Sequence, residues 1–162
     1  GAAAYASIFV EAGGDRFAVG IDYVPGGLSS ETAETVTMDD DGNSPTATTN
    51  KVAVDFEDLT TLYVSINVTD NFYVKAGLVT VDVITNENMG TGAKYGNSDM
   101  DGTMMGVGYH MAADNGVFFR VEGTYMDLGG LNLTSTGTAS TSKVTINSLD
   151  GASGKLSIGK SF

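Results

Sequence analysis

Residues 116–127, GVFFRVEGTYMD, restrict the fold more than any other stretch. Val117, Phe119, Val121, Gly123 and Tyr125 form one alternate set; Phe118, Arg120, Glu122, Thr124 and Met126 form the other. Side chains on a strand point alternately to opposite faces, so this is a strand with one apolar face and one charged face. A soluble sandwich would turn the apolar set to a core and the charges to water. A membrane barrel exchanges the two, with apolar residues to lipid and charges to a filled interior.

The same period recurs along the chain. Strands are expected over residues 4–12, 16–24, 51–68, 72–84, 103–112 and 116–127, with a long last strand over 143–162. Phe17, Val19, Ile21 and Tyr23 share a face of the second. Val52, Val54, Phe56, Leu62, Val64, Ile66 and Val68 share one parity of the third. In the fourth, Phe72, Val74, Ala76 and Leu78 oppose Tyr73, Lys75 and Gly77, and the alternation blurs after Leu78. Three tight turns, Gly13-Gly14-Asp15, Thr69-Asp70-Asn71 and Ala113-Asp114-Asn115, alternate with long polar segments near residues 25–50, 85–101 and 129–142. Short turns at one end and long loops at the other are the connection pattern of outer-membrane barrels. The segment after Pro25 is expected to carry strand extensions into solvent.

Composition narrows the function classes. The chain has 162 residues, enough for one domain with a real core, and is read as a single domain over 1–162. Its 22 glycines are about twice the ordinary ~7% share. Those inside strands (Gly20, Gly77, Gly106, Gly108, Gly123 and Gly159) predict tight curvature or a crowded interior. There is no cysteine, hence no disulfide framework, cysteine metal site or thiol nucleophile. The formal net charge of −12 argues against nucleic-acid binding, which needs a basic footprint. No run approaches the ~20 apolar residues of a transmembrane helix. The first residues, GAAAYASIFVEAGG, lack a basic signal-peptide start.

No catalytic, cofactor or metal site is expected. His110 is the only histidine. The residues around it offer no nucleophile and carboxylate for a triad, and it is read as a packed interior histidine. Asp39-Asp40-Asp41-Gly42-Asn43 departs from the EF-hand spacing and is read as a solvated acidic loop. Asn67-Val68-Thr69 and Asn132-Leu133-Thr134 match the glycosylation acceptor pattern, a short match that arises by chance. Met104 and Met105 are read as packing residues.

Three groups of residues carry the membrane reading. Aromatic residues gather near the tight-turn ends: Phe17, Phe72, Tyr73, Tyr109 and Phe119, with Phe118 and Phe162 close by. Such a girdle marks a membrane interface. The inward parity collects Arg120, Glu122, Lys75, Arg16, Glu11 and Asp22, with Asp55 and Glu57 as further candidates. In a narrow interior these groups persist by pairing. The chain ends LSIGKSF, with Phe162, Ile158 and Leu156 on one parity.

The terminal LSIGKSF, the Arg120-Val121-Glu122 run followed by Tyr125, and the PG and DN turns resemble the small OmpA/OmpX-type outer-membrane β-barrels. The resemblance implies an all-β, antiparallel up-and-down barrel of about eight strands whose interior is filled by side chains. It implies a non-enzymatic, anchoring protein of the bacterial outer membrane that displays acidic loops. Its partners would be outer-membrane lipid and the barrel-insertion machinery, which reads a terminal aromatic; Phe162 would fill that role. Two residues before it stands Lys160, where the family carries an apolar or aromatic residue. Arg120 and Glu122 would belong to an interior ion-pair network.

Seven strands are counted, and bacterial single-chain barrels have an even number. An upstream first strand, a split long strand near Asp150-Gly151-Ala152-Ser153, and strand completion by another chain or by self-association are the three explanations; the first is preferred. The alternative functions are a virion- or filament-associated barrel packed against sibling chains, in a virus particle or extracellular assembly, and a lipocalin-like small-ligand binder with an apolar interior.

Overall fold

The computed structural model describes residues 6–29, 33–39, 46–88, 94–136 and 143–162. They form β1 (Ile8–Gly13), β2 (Phe17–Ser29), β3 (Ala33–Asp39), β4 (Thr46–Asn67), β5 (Phe72–Asn88), β6 (Ser98–Ala112), β7 (Val117–Leu128), β8 (Leu131–Thr134), β9 (Lys143–Ile146) and β10 (Leu149–Lys160). Residues 4 and 5 of the expected first strand, and 40–43 of the acidic loop, lie outside the described residues.

Seven strands follow one another in a single sheet, β1-β2-β4-β5-β6-β7-β10, each antiparallel to the next. The expected up-and-down antiparallel order is therefore present, without a closed barrel: no ladder joins β1 to β10 among the described residues. β3 pairs with the far half of β4 on the side that β2 occupies lower down. The expected loop after Pro25 is thus in part a strand extension. The expected last strand is two: β9 pairs with β8 in a separate ribbon, and β10 returns to β7. The break falls at Asn147-Ser148. Asp150, Gly151, Ala152 and Ser153 lie inside β10, in unbroken register with β7.

The tight turns come from their sequences. Thr69 Oγ1 accepts the Phe72 amide at 3.0 Å, and Asn115 Oδ1 accepts the Val117 amide at 3.1 Å. These are the local side-chain bonds that favour such residues at turns. Gly116 takes φ 82°, a left-handed conformation open to glycine.

The faces of the sheet exchange roles part-way along. Toward the tight turns, Phe72, Val74 and Leu78 of β5 are exposed on the outside, while Tyr73 and Lys75 are buried inside. Beyond Leu78, Val79, Val81 and Val83 are fully buried and Thr80 is exposed. That reversal explains the alternation that blurs in the sequence. On β4 it is produced by the backbone. Against β5, the step from Glu57 to Thr60 faces only the step from Asp82 to Thr80, so β4 carries one extra residue there. Asp58 takes φ 53°, a region that Asp tolerates better than most. This β-bulge flips the parity of the strand beyond it. Leu62, Val64 and Ile66 stay exposed, while Val54 and Phe56 pack on Val81, Val83 and Met100. β2 is irregular at the same height, between Val24 and Gly27.

The far half therefore has an ordinary core. Tyr63, Val79 and Met104 form one cluster, and Val81, Val83 and Met100 the next. Leu131 of β8 and Ile146 from β9 pack onto the second, so the ribbon covers that end. Deleting Asp58 would turn Val54 and Phe56 outward. Burying a side chain of that size contributes about 1.5–3 kcal/mol. The deletion is expected to lower the unfolding free energy by at least about 2 kcal/mol in equilibrium urea unfolding. A change within ~0.5 kcal/mol would mean the bulge does not hold the register.

Candidate functional site

On the near half of the sheet, inward positions carry charge and outward positions carry none until Lys160 at the margin. Inward residues follow directly from the alternation: Phe118, Arg120, Glu122 and Thr124 on β7, Tyr73 and Lys75 on β5, Phe9 and Glu11 on β1, Asp22 on β2, and Ser153 and Lys155 on β10.

Three ion pairs fill this face. Lys75 Nζ lies 2.6 Å from Glu122 Oε1, and both side chains are 4% exposed. Arg120 forks onto Glu11, Nη1 to Oε1 at 2.8 Å and Nη2 to Oε2 at 2.6 Å. Lys155 donates to Asp22. Tyr63 donates its hydroxyl to Glu11 Oε1 at 2.9 Å. Three cations thus meet three carboxylates, and the interior balances its own charge. Rings complete the packing. The Arg120 guanidinium sits 4.6 Å from the Phe118 ring centre, 5.3 Å from Tyr73 and 5.4 Å from Phe9. Lys75 Nζ lies 4.6 Å from the Tyr63 ring centre. A cation over a ring face gains about 0.5–1 kcal/mol, and more when desolvated.

The inward glycines make room for these rings. Tyr63 pairs with Gly20, Tyr73 with Gly108 and Phe118 with Gly159 across neighbouring strands. A Cβ at Gly20 would come within 2.5 Å of the Tyr63 ring, at Gly108 within 2.2 Å of Tyr73, and at Gly159 within 2.3 Å of Phe118. Each ring covers the glycine opposite it on the neighbouring strand, an arrangement that stabilises sheet glycines. Gly123 faces outward with nothing within 4 Å of such a Cβ. The crowded-interior expectation thus fits Gly20, Gly108 and Gly159, and Gly123 has no such reason. At mid-height the interior leaves a void of about 20 Å³ beside Lys75, Thr124 and Lys155, room for roughly one water.

Of the expected interior charges, Arg120, Glu122, Lys75, Glu11 and Asp22 come together in these pairs. Arg16 does not; it is exposed in the first tight turn, because β2 begins one residue later at Phe17. Asp55 and Glu57 lie beyond the Asp58 bulge, which carries them off the inner face, and Asp55 accepts a hydrogen bond from Asn86. Lys155 and Tyr63 belong to the network and were not picked out from the sequence. Lys155 could have been, since it shares the inward parity of Ser153, Ser157 and Gly159.

Of the expected interface aromatics, Phe17, Phe72 and Phe119 are exposed on the outer face. Tyr109 packs edge-on against Phe72, ring centres 4.8 Å apart. Tyr73 is a correction. It is 3% exposed and faces inward, since it shares the parity of Lys75 and lies over Gly108. Phe118 is inside for the same reason. Leu156, Ile158 and Phe162 are all exposed. His110 lies 6.4 Å from the Tyr73 ring centre, on the inner side near the second turn. Among the described residues, no group of three or more His, Asp or Glu is placed to hold a metal ion.

At the line where the faces exchange, hydroxyls meet carboxylates on the outside. Tyr23 donates to Asp58, Tyr125 to Asp150 at 2.9 Å, and Thr80 to Asp101 at 3.0 Å. Tyrosine suits such a boundary, with an apolar body and a polar tip. Comparison of the chain with protein-family models, with curated proteins and with solved structures finds no match in any of the three.

Removing one partner of a buried pair leaves the other uncompensated. Lys75→Met is expected to cost about 3–5 kcal/mol, and the double variant Lys75→Met/Glu122→Leu to recover most of that loss. Arg16→Met, on an exposed turn, should stay within ~0.5 kcal/mol. Denaturant unfolding of the four chains tests this set. In the same assay, Gly108→Ala should cost about 1–3 kcal/mol by overpacking Tyr73. Gly123→Ala should be neutral or stabilising by about 0.4–1 kcal/mol.

Proposed function

We propose that the chain is a membrane-spanning β-barrel of the small, filled, outer-membrane kind, closed at about eight strands. Its role is to anchor in the bacterial outer membrane and to hold an acidic, strand-built surface above it. The observation that carries this reading is the outward apolar belt of the near half. Among the described residues 23 large hydrophobic side chains are exposed and 10 hydrophobic residues are buried, the reverse of what a water-soluble domain of this size needs. The exposed residues lie on all seven strands of the path from β1 to β10. The largest apolar patch on a typical soluble monomer is only roughly 300–600 Å².

The belt ends where lipid would end. Phe17, Phe72, Phe119 and Ile158 mark one margin, and Tyr23 and Tyr125 the other. From margin to margin the belt takes seven residues of β2, Phe17 to Tyr23, and seven of β7, Phe119 to Tyr125, fewer than the roughly 9–11 of a typical tilted spanning strand. Beyond the second margin the sheet turns polar outside and apolar inside, as a β-structure in water does. The paired charges and rings inside the near half leave no channel at mid-height, which favours anchoring over transport. They also differ from the apolar interior of a small-ligand binder. The exposed Leu156, Ile158 and Phe162 at the tight-turn end suit recognition by the barrel-insertion machinery, as in the OmpA/OmpX-type family that the chain resembles.

One observation favours the second reading, assembly with sibling chains: among the described residues the outer edges of β1 and β10 have no partner strand, and such edges invite strand addition. Flotation on a density gradient separates the two. The chain should rise with phospholipid vesicles and be released by detergent but not by alkaline carbonate. Sedimentation as a lipid-free particle would abandon the membrane. A charged substitution adds a scale. Val64→Arg, in mid-belt, should cost about 2–4 kcal/mol in vesicle-based unfolding, whereas Thr80→Arg, at the polar margin, should cost about 0–1 kcal/mol.

A further inference from the structure

The third tight turn is held closed from two sides. Ala113 N donates to Val117 O at 2.8 Å, Gly116 N donates to Ala113 O at 2.9 Å, and Ser161 N, just past the end of β10, donates to Gly116 O at 2.9 Å. Ser161 Oγ donates to the same oxygen at 3.2 Å. The turn thereby fastens β6, β7 and the end of β10 at one point. Its geometry dictates its sequence. Gly116 takes φ 82°, and a Cβ there would come within 2.7 Å of Ser161 O, so glycine is required. Asn115 supplies the side-chain oxygen that accepts the Val117 amide at 3.1 Å. An asparagine is therefore followed directly by a glycine, and Asn115 is the one asparagine in the chain for which that holds.

That pair carries its own chemistry. The Gly116 main-chain nitrogen, once it has given its proton to hydroxide, attacks Asn115 Cγ with no Cβ in the way. A Cγ–N bond forms, the Cγ–Nδ2 bond breaks, and the leaving nitrogen takes a proton from water and departs as ammonia. The product is a five-membered succinimide, which water then opens. Attack at Cγ leaves aspartate. Attack at the main-chain carbonyl carbon leaves isoaspartate, whose backbone runs through Cγ and is one methylene longer. In the closed turn the electrophile is ready: Asn115 is exposed, and the Val117 N–H holds and polarises its carboxamide. The nucleophile is not. The Gly116 N–H is committed to Ala113, and turning its peptide plane toward Cγ pulls Gly116 O away from Ser161.

We propose that Asn115 is a site of spontaneous conversion to isoaspartate, suppressed in the folded chain by the bonds that tie Gly116 to Ala113 and Ser161 and released when the turn opens. The rate follows the fraction of time that the turn is open. The product keeps it open. An added methylene between Asp114 and Gly116 displaces Gly116 from Ala113 and Ser161 together, and a new carboxylate stands beside Asp114. Water does not restore the amide, so the mark accumulates in chains that close this hairpin late or lose it. The inference needs no assumption about what meets the outer face of the sheet.

The test keeps the full chain in warm, mildly alkaline buffer, folded in detergent micelles or unfolded in concentrated urea. The peptide containing Asn115 is followed by the mass gained when an amide becomes an acid, and electron-transfer fragmentation separates isoaspartate from aspartate. In urea Asn115 should convert ahead of every other asparagine. In the fold it should convert at least about tenfold more slowly than in urea. Ser161→Pro, which removes the amide donor to Gly116, should speed conversion in the fold by about three- to tenfold and leave the rate in urea unchanged. The isolated isoaspartyl chain should exchange its Ser161 amide at least about tenfold faster than the unmodified chain. An Asn115 that stays intact in urea, a folded rate equal to or above that in urea, a folded Ser161→Pro chain that converts no faster, or a Ser161 amide equally protected in both chains would each overturn the proposal. The hydrogen-exchange comparison decides even where Ser161→Pro does not fold.

Discussion

A β-strand has two faces, and the packing of this chain depends on where those faces exchange roles. On the near half of the sheet the outside is apolar and the inside is charged. On the far half the outside is polar and the inside is a core of Val79, Val81, Val83, Met100 and Met104. On the proposed membrane reading the near half meets lipid and the far half meets water. The exchange is made by sequence on β5, at the adjacent pair Leu78-Val79, and by backbone on β4, at the extra residue by Asp58. The two agree in height because Thr60 and Thr80 are direct partners across the ladder. Tyr23, Tyr125 and Thr80 tie their hydroxyls to Asp58, Asp150 and Asp101 along the same line.

The charged interior follows from that division. With apolar residues spent on the outside, the near half has to fill its inside with something else. It does so with long cationic side chains laid over rings and forked onto carboxylates, with glycines opposite the rings. Buried ion pairs are poor sources of net stability, but each is costly to break singly. Their effect is to fix which strands face one another. Glu11 and Arg120 are 109 residues apart, and Asp22 and Lys155 are 133 apart. These pairs hold the ends of an open meander in one curvature.

Much of this was readable from the residues. The alternation of residues 116–127, the tight turns and the antiparallel order rest on a period of two and on turn chemistry, both local. Arg120, Glu122, Lys75, Glu11 and Asp22 were picked out by parity alone. What parity could not give is the bulge. Val54, Phe56, Leu62 and Val64 share one parity in the sequence and lie on opposite faces in the fold, because one left-handed Asp58 intervenes. Tyr73 was placed with Phe72 by its nearness to the turn, although its own parity points inward. The split of the last strand at Asn147-Ser148 depends on β8 offering β9 a partner, which is a tertiary fact. The identity of each ion-pair partner is likewise set by curvature and not by spacing.

The chain contains no cysteine, so a single introduced cysteine gives one clean spin-label site. The most direct measurement places labels in turn at the outward positions of β5, namely Val74, Ala76, Leu78, Thr80, Asp82 and Ile84, in phospholipid vesicles. Their collision rates with oxygen, which concentrates in lipid, and with a water-soluble nickel complex are then compared. The account predicts oxygen dominance at 74, 76 and 78, and nickel dominance at 80, 82 and 84, with the crossover beside the Asp58 bulge. Equal access of the nickel complex to all six positions would contradict it, because the apolar belt would then stand in water and the exchange of faces would mark no boundary.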